Sequence, residues 1–251
     1  MSKLDGPLAD KVALITGAAR RIGAETARAL HSEGATVIIH YGTSSEAAQQ
    51  IAAELNAKRA DSCYVVQALL GNIDALSEMI EQIVLLTGRL DILVNNASSF
   101  YPTPIGEITE SDWDNLFNSN LKGPLFLSQL AMPHLKKAKG CIVNMVDIHA
   151  DRPLAKHPVY CSAKAGLVML TKSLALELGP DVRVNGVAPG IIIWPEGDQD
   201  TTLQDDLLSR TALKRKGTVK DITDTVLFLV RDSAYITGQI IAVDGGRTVN
   251  Q

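Results

Sequence analysis

Two side chains four positions apart offer acid–base chemistry. In Tyr160-Cys-Ser-Ala-Lys164 the i, i+4 spacing sets a phenol and an ammonium on one face of a helix, about one turn apart. An ammonium beside a phenol stabilises the phenolate. The pair is therefore expected to lower the tyrosine's pKa and make it a proton donor or acceptor near neutral pH. Surface packing gives the same spacing often, so the pair needs partners before it signifies catalysis.

A second group suits an anion. Thr16-Gly-Ala-Ala-Arg20-Arg21-Ile22-Gly23 follows an apolar run and opens a helical pattern. Gly17 and Gly23 let the backbone turn tightly and approach a pyrophosphate, which a helix N-terminus stabilises. The end of the next apolar run, His40-Tyr41-Gly42-Thr43-Ser44-Ser45, has no acid before Glu46. An NAD site normally places a carboxylate there for the ribose hydroxyls. Arginines and hydroxyls in its stead suit a 2'-phosphate, so the expected cofactor is NADPH. Arg20 and Arg21 at a helix start also sit at the wrong end of the helix dipole unless an anion is bound.

The elements that must position these groups alternate along the chain. Apolar runs at Val12–Thr16, Thr36–His40, Cys63–Gln67, Leu90–Val94, Cys141–Asn144, Val182–Asn185 and Ile240–Val243 read as strands. Helical patterns lie between them at 21–33, 45–58, 73–86, 159–178 and 221–230, with a long one from about Ser111 expected to break or end near Pro133. Repeated strand–helix units mean an α/β fold: a single-domain, Rossmann-type, doubly wound parallel sheet over 1–251. Residues 1–9 read as a flexible N-terminus, and the Pro-, Gly- and acid-rich stretch of about 190–215 as a substrate lid.

Composition agrees. Of 251 residues 46% are hydrophobic but only 4% aromatic, as in a sheet covered on both faces by aliphatic helices. A net charge of -4 gives no footprint for nucleic acid or an anionic membrane, and Lys214-Arg215-Lys216 reads as a solvated helix end or loop. Cys63, Cys141 and Cys161 form no close pair and read as reduced, buried thiols of a cytoplasmic protein. No signal peptide or spanning segment is expected. No cluster has metal spacing, His149 and His157 lying eight apart, so no metal is expected.

Six ordered motifs across nearly the whole chain resemble the short-chain dehydrogenase/reductase family. They are the Gly17–Gly23 loop, Asn95-Asn96-Ala97, Asn120, the Tyr160/Lys164 pair, Pro189-Gly190 and Asp244-Gly245-Gly246. The resemblance implies that Tyr160 is the acid/base, that Lys164 binds the nicotinamide ribose, that Asn120 holds a relay water and that the protein is a homotetramer. The family's usual serine, which hydrogen-bonds a substrate carbonyl, is replaced here by Asp147 in Ile142-Val-Asn-Met-Val-Asp147. A carboxylate accepts hydrogen bonds and repels a developing alkoxide. It suits a substrate that presents N–H groups rather than a plain ketone.

The pteridine reductase branch is similar in this respect. Asn96-Ala97-Ser98-Ser99-Phe100-Tyr101-Pro102-Thr103-Pro104 resembles that branch's stretch after the fourth strand. The resemblance implies that Ser98 binds cofactor and substrate, that Phe100 sandwiches a pterin against nicotinamide, and that Arg21 touches both pyrophosphate and pterin. His40, Tyr41 and Ser44 match the 2'-phosphate region. Two positions depart: Leu69 stands where an aspartate commonly contacts adenine, leaving the backbone and Leu70 to hold it, and Trp194 lies in a loop of its own and could line the substrate pocket. The substrate expected is a pterin or folate. Rival readings are a carbonyl reductase acting on oxoacyl or sugar substrates, against which Asp147 speaks, and a noncatalytic NADPH-binding protein.

Overall fold

The computed structural model describes residues 6–193 and 201–249. Its centre is one seven-stranded parallel sheet in the order β3-β2-β1-β4-β5-β6-β7. The strands are β1 Val12–Ile15, β2 Thr36–Tyr41, β3 Cys63–Gln67, β4 Ile92–Asn95, β5 Cys141–Met145, β6 Arg183–Pro189 and β7 Ile240–Val243. β1 pairs with both β2 and β4, Leu14 standing between Ile38 and Leu93. The strand order therefore reverses beside β1, which opens a crevice at the carboxyl ends of β1 and β4.

Each strand is flanked by helices because its residues alternate between two apolar cores. Ala13, Ile15, Val37, Ile39, Val94 and Val143 face one core. It is closed by α1 (Arg21–Ser32), α2 (Ser45–Lys58) and α8 (Val219–Leu227). Leu14, Ile38, Leu93, Ile142 and Val184 face the other. That one is closed by α3 (Ile73–Thr87), α5 (Gly123–Ala138) and α6 (Pro158–Leu178). With both faces covered, strands read as continuous apolar runs, which is why the runs in the sequence located them.

Helix ends follow local chemistry. Thr218 forms a capping box with Asp221 at the start of α8, and Thr109 one with Asp112 at the start of α4 (Glu110–Phe117). α3 stops at Gly88, which has φ 74. α6 is long and apolar enough by length and composition to cross a membrane. It lies instead against the sheet, burying Leu167, Thr171 and Ala175, and it carries Tyr160 and Lys164.

Several expectations shift. The helix through Pro133 does not break there; α5 runs on to Ala138. Pro133 and Gln129, whose carbonyl loses its partner, are both exposed, so water can take the place of the lost bond. Between α4 and α5 the helix widens into a π turn at Asn118–Lys122, which periodicity did not signal. β6 extends beyond Asn185 to Pro189. A further helix, α7 (Thr201–Ser209), lies within the stretch expected as an irregular lid. Lys214-Arg215-Lys216 is a loop, as expected. At the other end Leu8 is buried and its N–H donates to Glu33 O at 2.9 Å, so packing starts inside the expected leader.

Candidate active site

The crevice beside β1 holds two adjoining cavities that share Gly17, Arg20, Ala97 and Ser98. The first, about 590 Å³, runs over the ends of β2 and β3 between Tyr41, Ser44, Leu69 and Leu70. The second, about 460 Å³, runs over the ends of β4, β5 and β6 and reaches Phe100, Asp147, Tyr160, Lys164 and Pro189.

Backbone demands shape the first cavity. Gly17 has φ 61, and a Cβ there would stand 2.9 Å from Ala97 Cα; one on Gly23 would stand 2.5 Å from Asn96 Nδ2. Only glycine lets the first turn of α1 approach β4 this closely. Thr16 Oγ1 accepts from the N–H groups of Asn96 (2.9 Å) and Ala97 (3.0 Å), and Asn96 Nδ2 donates to Thr16 O at 2.8 Å. Sequence reading missed Thr16; its signal was a hydroxyl at the end of an apolar strand.

α1 begins without a cap of its own. The Arg20 side chain makes no capping bond and no acid lies in the first turn. Arg21, the first helical residue, has φ 52, a conformation that costs a non-glycine residue about 1 kcal/mol. A helix start without a side-chain cap, two exposed arginines, and a β2 end with Thr43 and Ser44 but no carboxylate fit the phosphates of a dinucleotide. Ile22, Gly23, Asn96 and Gly190 border the second cavity, where the nicotinamide half would lie. Leu69 is 63% exposed at the wall of the first, an apolar side chain at the position read from the sequence as departing from an adenine-binding aspartate. His40 reaches this cavity from a buried position, but both its ring nitrogens contact backbone: Gly17 N–H donates to Nδ1 at 3.2 Å and Nε2 lies 3.0 Å from Ala68 O. The ring braces the glycine turn and is held neutral, its pKa lowered to about 4 by burial.

The second cavity gathers the acid–base groups. Tyr160 Oη donates to Asp147 Oδ2 at 2.7 Å. Asp147 Oδ1 accepts from His149 N–H at 2.8 Å, which fixes the carboxylate just beyond β5. Lys164 is 2% exposed; its Nζ donates to Met145 O at 2.8 Å and lies 5.7 Å from the centroid of the Tyr160 ring. The ammonium does not lower the tyrosine's pKa as its spacing led us to expect. Burial, then the charge of Asp147 and the hydrogen bond to it, push the phenol well above its usual range. Burial lowers Lys164 to about 8, with Asp147 opposing.

Asn120 is wholly buried on the π turn. Its Oδ1 accepts from Ser98 Oγ at 2.7 Å, and its Nδ2 donates to Ser99 O and Leu116 O at 2.9 Å each. An amide oxygen can accept a second hydrogen bond besides that of Ser98. Phe100 is 48% exposed on the rim, stacked on His157 and edge-on to Tyr160. Ile192 and Ile193 line the cavity and were not picked out from the sequence, although the apolar Ile191-Ile-Ile run after Pro189-Gly190 was a signal. Trp194 lies outside the described residues. All three cysteines are free and buried, and no cluster of metal-ligating side chains occurs among the described residues.

A phenol, a carboxylate and an ammonium converge on the crevice at the carboxyl ends of the strands, where open α/β sheets bind their ligands. Residues 17–248 match the family model described as Enoyl-(Acyl carrier protein) reductase. Pteridine reductase 1 of Leishmania tarentolae is 38% identical, over 96% of this chain and 97% of its own length. The 3-oxoacyl-(acyl-carrier-protein) reductase FabG of Staphylococcus aureus is also 38% identical, over 94% and 97%. That of Thermotoga maritima is 36% identical, over 96% and 99%. The chain belongs to the short-chain dehydrogenase/reductase family. It is an NAD(P)-dependent oxidoreductase of that family.

Proposed function

We propose that this enzyme uses NADPH to reduce a pterin or folate ring. The observation that carries the reading is the 2.7 Å hydrogen bond from Tyr160 to Asp147, a carboxylate where the family's usual serine would donate to a carbonyl. A carboxylate facing the cleft accepts from the N–H groups of a flat, nitrogen-rich bicycle and opposes an alkoxide growing beside it. Phe100, on the same rim, offers an aromatic face to such a ring. The similarity to Pteridine reductase 1 supports the same reading.

When bound, NADPH supplies the hydride that reduces a ring carbon, C6 of a 7,8-dihydropterin or C7 of a fully oxidised pterin. Gly17, Arg20, Arg21, Ile22 and Gly23 would hold its pyrophosphate, and Tyr41 with Ser44 its 2'-phosphate. His40 keeps the glycine turn in place. Leu70 would face the adenine, with Asn96, Ala97, Ser98, Pro189 and Gly190 around the nicotinamide half. Tyr160 keeps its proton at neutral pH, because burial and Asp147 raise the phenol's pKa. It can therefore deliver that proton to the ring nitrogen beside the reduced carbon, while Asp147 orients the ring and Lys164 keeps positive charge nearby. Ser98 and Arg21 would contact the ring's edge, and Asn120 would hold the water that reprotonates the site.

Similarity to FabG enzymes at the same identity favours a second reading, reduction of an oxoacyl thioester. Asp147 argues against it, since an acceptor stands where the serine would donate. NADPH oxidation measured across oxidised and dihydro pterins, folates, oxoacyl thioesters and simple ketones separates the two. Turnover of pterins or folates supports the first; turnover of thioesters alone overturns it. We further propose a cytoplasmic homotetramer. Met169 and Leu176 are 60% and 82% exposed on α6, apolar surface that suits contact between subunits.

A further inference from the structure

The aromatic platform of the site has a backing that no site assignment includes. Phe100 and His157 lie face to face, with centroids 4.7 Å apart and planes inclined by 10°. Tyr160 lies against the same Phe100 ring in a T-shaped arrangement, at 4.9 Å and 79°. Phe100 borders the cavity that holds Asp147 and Tyr160, whereas His157 is not among the residues lining it. His157 therefore covers the outer face of Phe100, and the inner face is left to the cleft.

The backing is itself fixed. His157 precedes α6 and its Nδ1 lies 2.8 Å from Ala155 O, the geometry of a ring N–H donating to a carbonyl. Its own N–H donates to Leu154 O at 3.2 Å, and its carbonyl accepts from Cys161 N–H at 3.0 Å. Next to it, Lys156 O accepts from Thr103 N–H at 2.6 Å, which ties this loop to the one that carries Phe100. A half-exposed phenylalanine on a loop would otherwise exchange rotamers freely. Stacked on one ring and T-shaped to a second, it is restrained on two sides.

We propose that His157 is a positioning residue that sets a flat heteroaromatic substrate by holding Phe100 against its outer face. The inference rests on the pterin or folate reading above. Substrate, Phe100 and His157 then form one continuous stack, with the substrate on the inner side. His157 makes no contact with the reacting atoms and takes no part in proton transfer. Its contribution lies in substrate binding rather than in the chemical step.

The test is steady-state kinetics with NADPH and 7,8-dihydrobiopterin, on wild type, His157→Ala, His157→Phe, Phe100→Leu and the double variant Phe100→Leu/His157→Ala. His157→Ala should raise the pterin KM about 3–10-fold, the scale of one aromatic stacking contact, with kcat and the NADPH KM nearly unchanged. His157→Phe should restore the wild-type KM, since it keeps a flat ring. In the Phe100→Leu background, loss of His157 should add no further change. His157→Leu, which keeps bulk but no flat ring, replaces His157→Ala if that variant melts at much lower temperature. An unchanged KM in a wild-type background that turns over pterin overturns the proposal alone. So does an equal KM effect with and without Phe100. A wild-type enzyme that ignores every pterin and folate overturns the functional reading and the proposal with it.

Discussion

His40 and Gly17 are joined by a hydrogen bond that links the cofactor turn to the sheet: Gly17 N–H donates to His40 Nδ1 at 3.2 Å. Because Nδ1 accepts, the ring proton sits on Nε2 and points at Ala68 O, 3.0 Å away. One neutral imidazole thus spans the carboxyl ends of β1, β2 and β3. A second proton on the ring would leave Gly17 N–H without its acceptor. Burial holds the pKa at about 4, well under the ordinary histidine value.

Acid should therefore weaken the fold in a defined window. In the unfolded chain His40 takes up a proton below about pH 6.5, while the native ring stays neutral until about 4. Between those values the unfolded state binds more protons, so stability falls as pH falls. His31, lowered to about 4 by burial and then by Arg59 and Lys58, acts in the same sense. For His40 alone the loss from pH 7 to pH 5 is about 2 kcal/mol. Urea midpoints at the two pH values measure it, and His40→Asn should flatten the difference while raising the Kd for NADPH. An unaltered pH dependence in that variant would show that His40 titrates normally.

At the opposite end of the sheet Asp91 binds β1 to β4. Nearly inaccessible, it accepts from Val12 N–H at 3.0 Å, Lys11 Nζ at 3.1 Å and Arg89 Nη2 at 2.6 Å. Burial alone would raise its pKa, but these donors outweigh burial and hold it below the usual carboxylate range. Asp91→Ala strands a buried N–H and two cations that are each partly exposed, so the loss should be about 3 kcal/mol. Chemical denaturation reads this directly. A shift within about 0.5 kcal/mol, the ordinary size for a surface change, would mean that water replaces the carboxylate.

The parallel sheet was legible in the sequence because strands buried on both faces are continuous apolar runs, and each run but the last had a helical pattern after it. Tyr160 and Lys164 were legible as a pair from their helical spacing, and the resemblance to the short-chain family joined to them Asp147, just beyond the preceding strand. What stayed hidden is non-local. The direction of the Tyr160 pKa depends on Asp147 and on burial, neither of which i, i+4 spacing contains. The Phe100–His157 stack joins residues 57 positions apart in two loops. Pro133 stays within α5 on the helix's exposed side, where Gln129, the residue whose carbonyl it deprives, also lies, and exposure is set by tertiary packing.

Cofactor choice follows from the first cavity. Arg20 borders it together with Thr43 and Ser44, and no carboxylate among the described residues lines it. NADPH should be preferred over NADH by at least about tenfold in kcat/KM, or about 1.4 kcal/mol. Arg20→Glu should erase or invert that preference by setting a negative charge where the 2'-phosphate would lie. Equal efficiency of the wild type with both cofactors would refute the assignment.

The last prediction concerns the proton path. Burial and Asp147 raise the Tyr160 phenol above its ordinary pKa, so it should contribute no alkaline limb to the rate profile near neutral pH. Lys164 should, because its pKa is lowered to about 8 by burial: the ammonium is present below that value and lost as pH rises through it. Turnover should accordingly fall above about pH 8, and Lys164→Ala should weaken NADPH binding as well as rate. Tyr160→Phe should cut kcat about 10²–10⁴-fold, the usual weight of a general acid, and leave the NADPH Kd nearly unchanged. Asp147→Ser distinguishes this enzyme from carbonyl reductases. The change restores a donor for a ketone but removes the acceptor of the Tyr160 bond, so pterin turnover should fall although serine is the commoner residue in the family. An Asp147→Ser enzyme that gained ketone reductase activity, from a wild type inert toward pterins and folates, would assign the site to carbonyl reduction instead.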